Sequence, residues 1–222
     1  MKTTLAFDIY GTLVDPSNMA SHLLHDVGND AVEFSEMWRQ KQLEYCFRRG
    51  LMQRYADFSV CTADALKVTC LHFLADISAE RQMELMRLYQ HLPPFDDALL
   101  ALETLRNTFR LFAFSNGTAA QVDAVLTNAG LRDYFEGIVS VDEVRSFKPD
   151  PAVYAYARHA TGAESSPLWL VSGNAWDIIG ARNAGLEAAW VRRSDKNIYD
   201  AWGIEPTITV RSLTDLITVL TK

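Results

Sequence analysis

Short apolar runs, each ending on a polar turn, recur along this chain. Leu5-Ala6-Phe7 stops at Asp8, Leu111-Phe112-Ala113-Phe114 at Ser115-Asn116-Gly117, and Ile138-Val139-Ser140-Val141 at Asp142. Leu168-Trp169-Leu170-Val171 stops at Ser172-Gly173-Asn174, Ala188-Ala189-Trp190-Val191 at Arg192, and Ile208-Thr209-Val210 precedes a last helix starting near Ser212. Near-continuous apolar runs of this length predict parallel strands covered on both faces. Helical spacing fills most of the gaps, over Ala119 to Asn128, Pro151 to His159 and Trp176 to Ala184. Gly130 and Gly185 follow two of these stretches, where a left-handed residue commonly closes a helix. The alternation predicts an α/β fold: a doubly wound, Rossmann-like parallel sheet.

Residues 16–93 break the alternation. They carry no convincing strand pattern, are rich in Met, Leu, Glu, Gln and Arg, and set Met37, Cys46 or Phe47, and Leu51 at helical spacing. Pro93-Pro94 closes the stretch, and Phe95-Asp96-Asp97 is placed to cap a helix running through Leu105. The expected organisation is a core domain of residues 1–15 and 94–222, interrupted by a mostly helical cap domain of residues 16–93. The hinges fall near Asp15-Pro16 and Leu92-Pro93-Pro94.

Composition narrows the function classes. Of 222 residues, 49% are hydrophobic and 22% charged, which excludes wholesale disorder. The net charge of −7 gives no basic footprint for nucleic acid. No apolar run approaches the roughly 20 residues of a membrane span, and Asp8 interrupts the place where a signal peptide needs its apolar stretch, so a cytoplasmic location is expected. Cys46, Cys61 and Cys70 have no CxxC spacing and are expected to be reduced and mostly buried. His22 and His25 share a possible helix face without an evident third ligand, so no metal site is expected there.

In open α/β sheets ligands bind beyond the carboxyl ends of the strands. That rim collects Asp8, followed by Ile9-Tyr10-Gly11-Thr12; Ser115-Asn116-Gly117; Lys148-Pro149-Asp150; and Ser172-Gly173-Asn174-Ala175-Trp176-Asp177. Singly, each has an ordinary explanation: turn chemistry for Asp8, a first-turn helix acid for Asp177. Together they put two carboxylates, one ammonium and several hydroxyl and amide groups at four strand ends, in order.

Asp8-Ile9-Tyr10-Gly11-Thr12-Leu13, Ser115-Asn116-Gly117, Lys148-Pro149-Asp150 and Asp177 resemble the four motifs of the haloacid dehalogenase superfamily, whose common members are magnesium-dependent phosphatases with a nucleophilic Asp. Two positions depart from the phosphatase pattern. The second Asp, a general acid and base two residues past the nucleophile, is Tyr10 here, and a phenol of pKa near 10 substitutes poorly. The metal-binding acid after the fourth strand is Gly173. These departures resemble instead the L-2-haloacid dehalogenase subfamily, which uses no metal or other cofactor. Trp38-Arg39-Gln40-Lys41-Gln42-Leu43-Glu44-Tyr45 resembles that subfamily's halide-binding segment. Ser146-Phe147-Lys148-Pro149-Asp150 with Tyr154, and Ser172 to Asp177, match it too, except that Gly173 stands where Ser is often expected.

The resemblance implies an (S)-2-haloacid dehalogenase that converts short L-2-haloalkanoic acids to (R)-2-hydroxy acids with inversion, through an ester on Asp8. It implies Arg39 and Asn116 at the departing halide, and Ser115 with the N–H groups around Ile9 and Tyr10 at the substrate carboxylate. Leu43, Phe58 and Trp176 form a dry wall. Lys148 supplies positive charge beside Asp8, and Asp177, assisted by Ser172 and Asn174, handles the hydrolytic water. Thr12, Tyr10 and Tyr154 steady the nucleophile and Lys148. The expected partners are the haloacid, the halide and a second copy in a homodimer, with no nucleic acid and no membrane. The alternatives are a magnesium-dependent phosphatase of the same superfamily and a catalytically silent binding protein of the same fold.

Overall fold

The computed structural model describes residues 2–220 of the chain. Among these residues six strands form one sheet: β1 Thr4–Phe7, β2 Arg110–Ser115, β3 Gly137–Ser140, β4 Leu168–Ser172, β5 Glu187–Val191 and β6 Ile208–Val210. The order is β3-β2-β1-β4-β5-β6, and every pairing is parallel. The apolar runs are strands, as their pattern predicts, because helices cover both faces and leave little water on either side. All four β1 residues are buried. Val141 is the exception: it leaves β3 and opens a 3-10 turn.

Between β1 and β2 the chain forms α1 Met19–Val27, α2 Ala31–Leu51, α3 Phe58–His72, α4 Ala79–Leu88 and α5 Ala98–Leu105. No strand lies between Pro16 and Pro93. Asp57 and Ser78 cap α3 and α4 by accepting backbone N–H bonds. The buried stripe of α2 runs Phe34, Ser35, Trp38, Gln42, Cys46 and packs on α1 and α3. Leu51, read above as part of an apolar spacing, is instead 87% exposed at the end of α2. The three cysteines are free and buried. No described helix is long and apolar enough to cross a membrane.

The two crossings between the helical block and the sheet run side by side. Asp15 N–H donates to the Pro93 carbonyl at 2.9 Å, and Phe95 N–H to Leu13 at 2.9 Å. After β2 the chain adds α6 Ala119–Asn128, α7 Pro151–Ala160, α8 Ala175–Asn183 and α9 Leu213–Leu220. Thr118 and Gln121 form a reciprocal capping box on α6. Gly130 and Gly185 take positive φ just past α6 and α8, which a Cβ would strain.

Asp97 does not cap α5 with its side chain. Its carboxylate receives two 2.7 Å bonds from Arg193, past β5, and the Leu213 N–H at the head of α9. The Arg193 guanidinium also donates to the Thr12 carbonyl and lies 4.0 Å from the Phe95 ring centroid. Arg193 thereby ties the hinge, α9 and the turn after β1 into one joint. Removing one partner of a buried pair leaves the other uncompensated, so Asp97→Ala should cost about 3 kcal/mol, measured by urea unfolding. A loss within error of zero would show that the joint carries no stability.

Candidate active site

Neighbouring strands β1 and β4 sit where the strand order reverses direction, and the crevice there is the expected ligand position of such sheets. Asp8 follows β1 directly, and Ser172 ends β4. Register places Phe7 opposite Val171, so both polar segments emerge at one level.

The Asp8 carboxylate is only 7% exposed. Its Oδ2 accepts from Thr12 Oγ1 at 2.9 Å, Asn174 Nδ2 at 2.7 Å and Ser172 Oγ at 3.3 Å. Its Oδ1 accepts from Lys148 Nζ at 3.1 Å. The ammonium gives its other two hydrogens to Asp177 Oδ2 at 2.8 Å and the Phe114 carbonyl at 2.9 Å. Three N–H groups meet three acceptors, and Nζ also lies 4.1 Å from the Phe114 ring centroid. Burial opposes the charge on Lys148, but the Asp177 and Asp8 carboxylates outweigh it and hold the lysine above its ordinary value. Burial raises Asp177, against the pull of Lys148.

Tyr154, on α7, donates to Asp177 Oδ1 at 2.8 Å. Burial, then Asp177, raises its phenol well above the usual value and keeps it a neutral donor. The approach needs Gly180: a Cβ there would stand 2.4 Å from the Tyr154 hydroxyl and 2.6 Å from Pro149 Cβ. The sequence signal for this was a glycine inside a helix pattern, which the reading above passed over.

Ser172 and Asn174 both donate to Asp8 Oδ2. Asn174 occupies the N-cap position of α8 but makes no side-chain cap bond; its Nδ2 instead donates to Asp8 Oδ2 and the Tyr10 carbonyl. Tyr154 holds Asp177 and not Asp8 or Lys148. The Tyr10 ring points away into the helical block, 5.6 Å from the rings of both Phe58 and Tyr89. Burial raises its phenol above the ordinary value and removes it from proton transfer near neutral pH. Asn116 Oδ1 accepts the Lys148 N–H at 2.9 Å, which leaves its Nδ2 as the outward donor. Ser115 Oγ accepts from Gly117 N–H at 3.1 Å. The Ile9 carbonyl anchors the turn by accepting from Thr12, Leu13 and Val14.

Arg39 crosses from α2 to this turn. Its Nη2 donates to the Tyr10 carbonyl at 3.4 Å, and its guanidinium lies 5.8 Å from the Tyr10 ring centroid. Leu43 is half-buried one turn further along α2. Trp176 stacks edge-on at 5.2 Å against Phe47 of α2, a residue that the helical spacing offers beside Cys46 without giving it a role at the site. The pair borders a cavity of about 750 Å³, largely apolar, with Phe147, Lys148, Pro149 and Trp202.

The donors do not fit a divalent cation such as the magnesium of the phosphatase pattern. A Cβ at Gly173 would lie 2.2 Å from the Gly11 carbonyl oxygen, so no acidic side chain fits there without moving the turn. Tyr10 faces the helices, and Asp8 and Asp177 already share an ammonium. The carbonyl of His22 accepts from Arg81, and among the described residues no group of three or more His, Cys, Asp or Glu is arranged for a metal.

With Lys148 replaced by Met, two buried carboxylates face each other without a counter-charge. The loss at neutral pH should be about 3–5 kcal/mol. Each carboxylate then raises the other's proton affinity, so Lys148→Met should regain stability as pH falls from 7 towards 5. In the wild type the lysine is raised, so its stabilisation is complete at lower pH and disappears only above the ordinary lysine value, roughly 10.4. Melting temperatures across this range test both signs; a variant that melts like wild type at pH 7 would show the triad to be unimportant.

A family model described as haloacid dehalogenase-like hydrolase matches residues 2–185. An (S)-2-haloacid dehalogenase of Pseudomonas sp. (strain YL) is 40% identical over 210 residues, covering 94% of this chain and 90% of that protein. A haloacetate dehalogenase H-2 of Moraxella sp. (strain B) is 36% identical, covering 93% and 92%. The structure of L-2-haloacid dehalogenase from Xanthobacter autotrophicus with chloropropionic acid covalently bound superposes with a TM-score of 0.94 at 30% identity, covering 100% of this chain and 99% of that one. The parallel sheet with Asp8 in the turn after β1 and these likenesses agree, and the chain belongs to the haloacid dehalogenase-like hydrolase family.

Proposed function

We propose that this protein is an (S)-2-haloacid dehalogenase, hydrolysing short L-2-haloalkanoic acids to (R)-2-hydroxy acids. The observation that carries this reading is the Asp8–Lys148–Asp177 triad: a near-buried carboxylate nucleophile whose charge is managed by a side-chain cation, in a site with no room for the acid at Gly173. The relatives named above act on 2-haloacids and haloacetate, which supports the substrate class.

In the first step Asp8 attacks the halogen-bearing carbon from the side opposite the halide, forming a C–O bond as the C–halide bond breaks. Covalent catalysis divides one hard displacement into two easier ones. Donors concentrate on Oδ2, so Oδ1 is the attacking oxygen and Oδ2 becomes the ester carbonyl. Arg39 and the Asn116 Nδ2 meet the negative charge on the leaving halide. Ser115 and the turn at Ile9 and Tyr10 orient the substrate carboxylate. Leu43, Phe58 and Trp176 exclude water, which strengthens each of these interactions. The helical block of residues 16–93 serves as the cap that brings Arg39 over the core.

In the second step water adds to the ester carbonyl. The charge that develops on Oδ2 is met by Thr12, Ser172 and Asn174, which already point at that atom. Asp177 takes the proton; the adduct then collapses, breaking the bond between the Asp8 carboxyl carbon and Oδ1. Oδ1 leaves with the proton from Asp177 as the hydroxyl oxygen of the (R)-2-hydroxy acid, while the regenerated Asp8 carboxyl gives up its own proton to water. Burial raises the affinity of Asp177 for a proton, which suits a base, while Lys148 and Tyr154 fix its orientation.

With (S)-2-chloropropionate, one chloride should appear for each (R)-2-hydroxypropionate, undiminished by excess EDTA. Asp8→Asn should remove turnover in a chain that still folds, as its circular dichroism will show. In a single turnover in oxygen-18 water with enzyme in excess, the label should enter the Asp8 carboxylate and not the product. Magnesium-dependent phosphate release from a phosphate ester, with no chloride released from any haloacid, would overturn the reading.

A further inference from the structure

The buried stripe of α2 contains one amide, Gln42, completely shielded from solvent among apolar neighbours. A buried amide is retained at a cost unless its hydrogen bonds are met. Here they are met in one orientation. Thr62 Oγ1 donates its hydrogen to the Phe58 carbonyl at 2.7 Å, so towards Gln42 it is an acceptor. Gln42 Nε2 therefore points at Thr62, at 2.6 Å, and Oε1 is turned to the opposite side. There Oε1 accepts from Arg39 Nη1 at 2.6 Å and from the Tyr89 hydroxyl at 3.3 Å.

The partners of Arg39 are all neutral: the Gln42 amide oxygen, the Tyr10 carbonyl and the Tyr89 phenol. Among the described residues Arg39 makes no ion pair, whereas Arg48 and Arg49 on the same helix each pair with a carboxylate. A neutral acceptor aims a guanidinium without cancelling its charge; a carboxylate at the same distance would aim it and compete with any anion it should bind.

We infer that Gln42 is the positioning residue for Arg39, with Thr62 fixing which end of its amide faces the guanidinium, so that the full positive charge is held ready for the departing halide. This rests on the proposed reading that Arg39 meets that halide. Gln42 touches no reacting atom; it acts through Arg39.

The test compares Gln42→Glu, Gln42→Leu and Thr62→Val on (S)-2-chloropropionate and (S)-2-bromopropionate, with inhibition by bromide and melting temperature measured alongside. Chloride is the poorer leaving group and depends more on external stabilisation. Gln42→Glu, which keeps the reach but neutralises the cation, should lower kcat on the chloro acid by about tenfold or more, because a paired guanidinium no longer offers its full charge to the departing halide. The bromo acid should lose less, and bromide should inhibit more weakly. Gln42→Leu frees the guanidinium and should shift the chloro-to-bromo ratio the same way. Thr62→Val preserves shape and lets the amide turn over, giving a smaller shift in the same direction and a result even if the Gln42 variants fold poorly. Folded variants with a wild-type chloro-to-bromo ratio and unchanged bromide inhibition would overturn the inference, whatever their absolute rates. If the wild type itself releases no halide from either acid, the dehalogenase reading falls and this inference with it; the wild-type control tells the two failures apart.

Discussion

A single ammonium, withdrawn completely from water, lies between two carboxylates at the point where the sheet changes direction. An isolated charge of either sign would be expelled from such a place, and the two carboxylates alone would repel. The arrangement is stable only as a set: three N–H groups on three acceptors, with each carboxylate's remaining oxygen held by hydroxyls or amides. The rest of the site follows from that requirement. Tyr154 reaches through the gap left by Gly180 to complete Asp177, and Asn174 gives up capping α8 to complete Asp8. The side chains that stabilise the buried charges are the same ones that preorganise the proposed displacement and hydrolysis.

The second constraint is how the turn after β1 meets the helical block. Tyr10 places its carbonyl on the site, where Asn174 and Arg39 donate to it, and its ring among Phe58 and Tyr89. One residue thus couples the two parts of the molecule. Arg193 grips the same turn from behind through the Thr12 carbonyl. The close approach of the Gly11 carbonyl to Gly173 brings Thr12 within reach of both Gly173 N–H and Asp8. A side chain at Gly173 would push these loops apart, so the glycine that stands where the phosphatase pattern has an acid also closes the anchorage of Asp8.

The strands, the order of the polar strand ends and the interruption after β1 were legible in the chain because burial on both faces and strand-end turns write themselves into local pattern. Asp8, Lys148 and Asp177 were legible for a similar reason: topology alone brings strand ends to one rim. Arg39 was singled out only by resemblance, since arginines on one helix look alike in sequence. The roles of Gln42, Phe47 and Arg193 gave no readable signal, and Gly180 gave only that of a glycine inside a helix pattern, because each acts on a residue distant in the chain or one helical turn away.

By itself, the sequence determined which apolar runs are strands, Val141 apart, and which groups gather at the carboxyl edge; the family resemblance added that Tyr10 and Gly173 stand where the phosphatase pattern has acids. Tertiary structure alone decided who pairs with whom: that Ser172 and Asn174 serve Asp8, that Tyr154 serves Asp177, and that Asp97 holds Arg193 instead of capping α5. The physical reason is range. Hydrophobic periodicity is a local property of the backbone, whereas a buried hydrogen bond is chosen by whichever donor the packed chain brings within about 3 Å, and that choice is made only when distant segments meet.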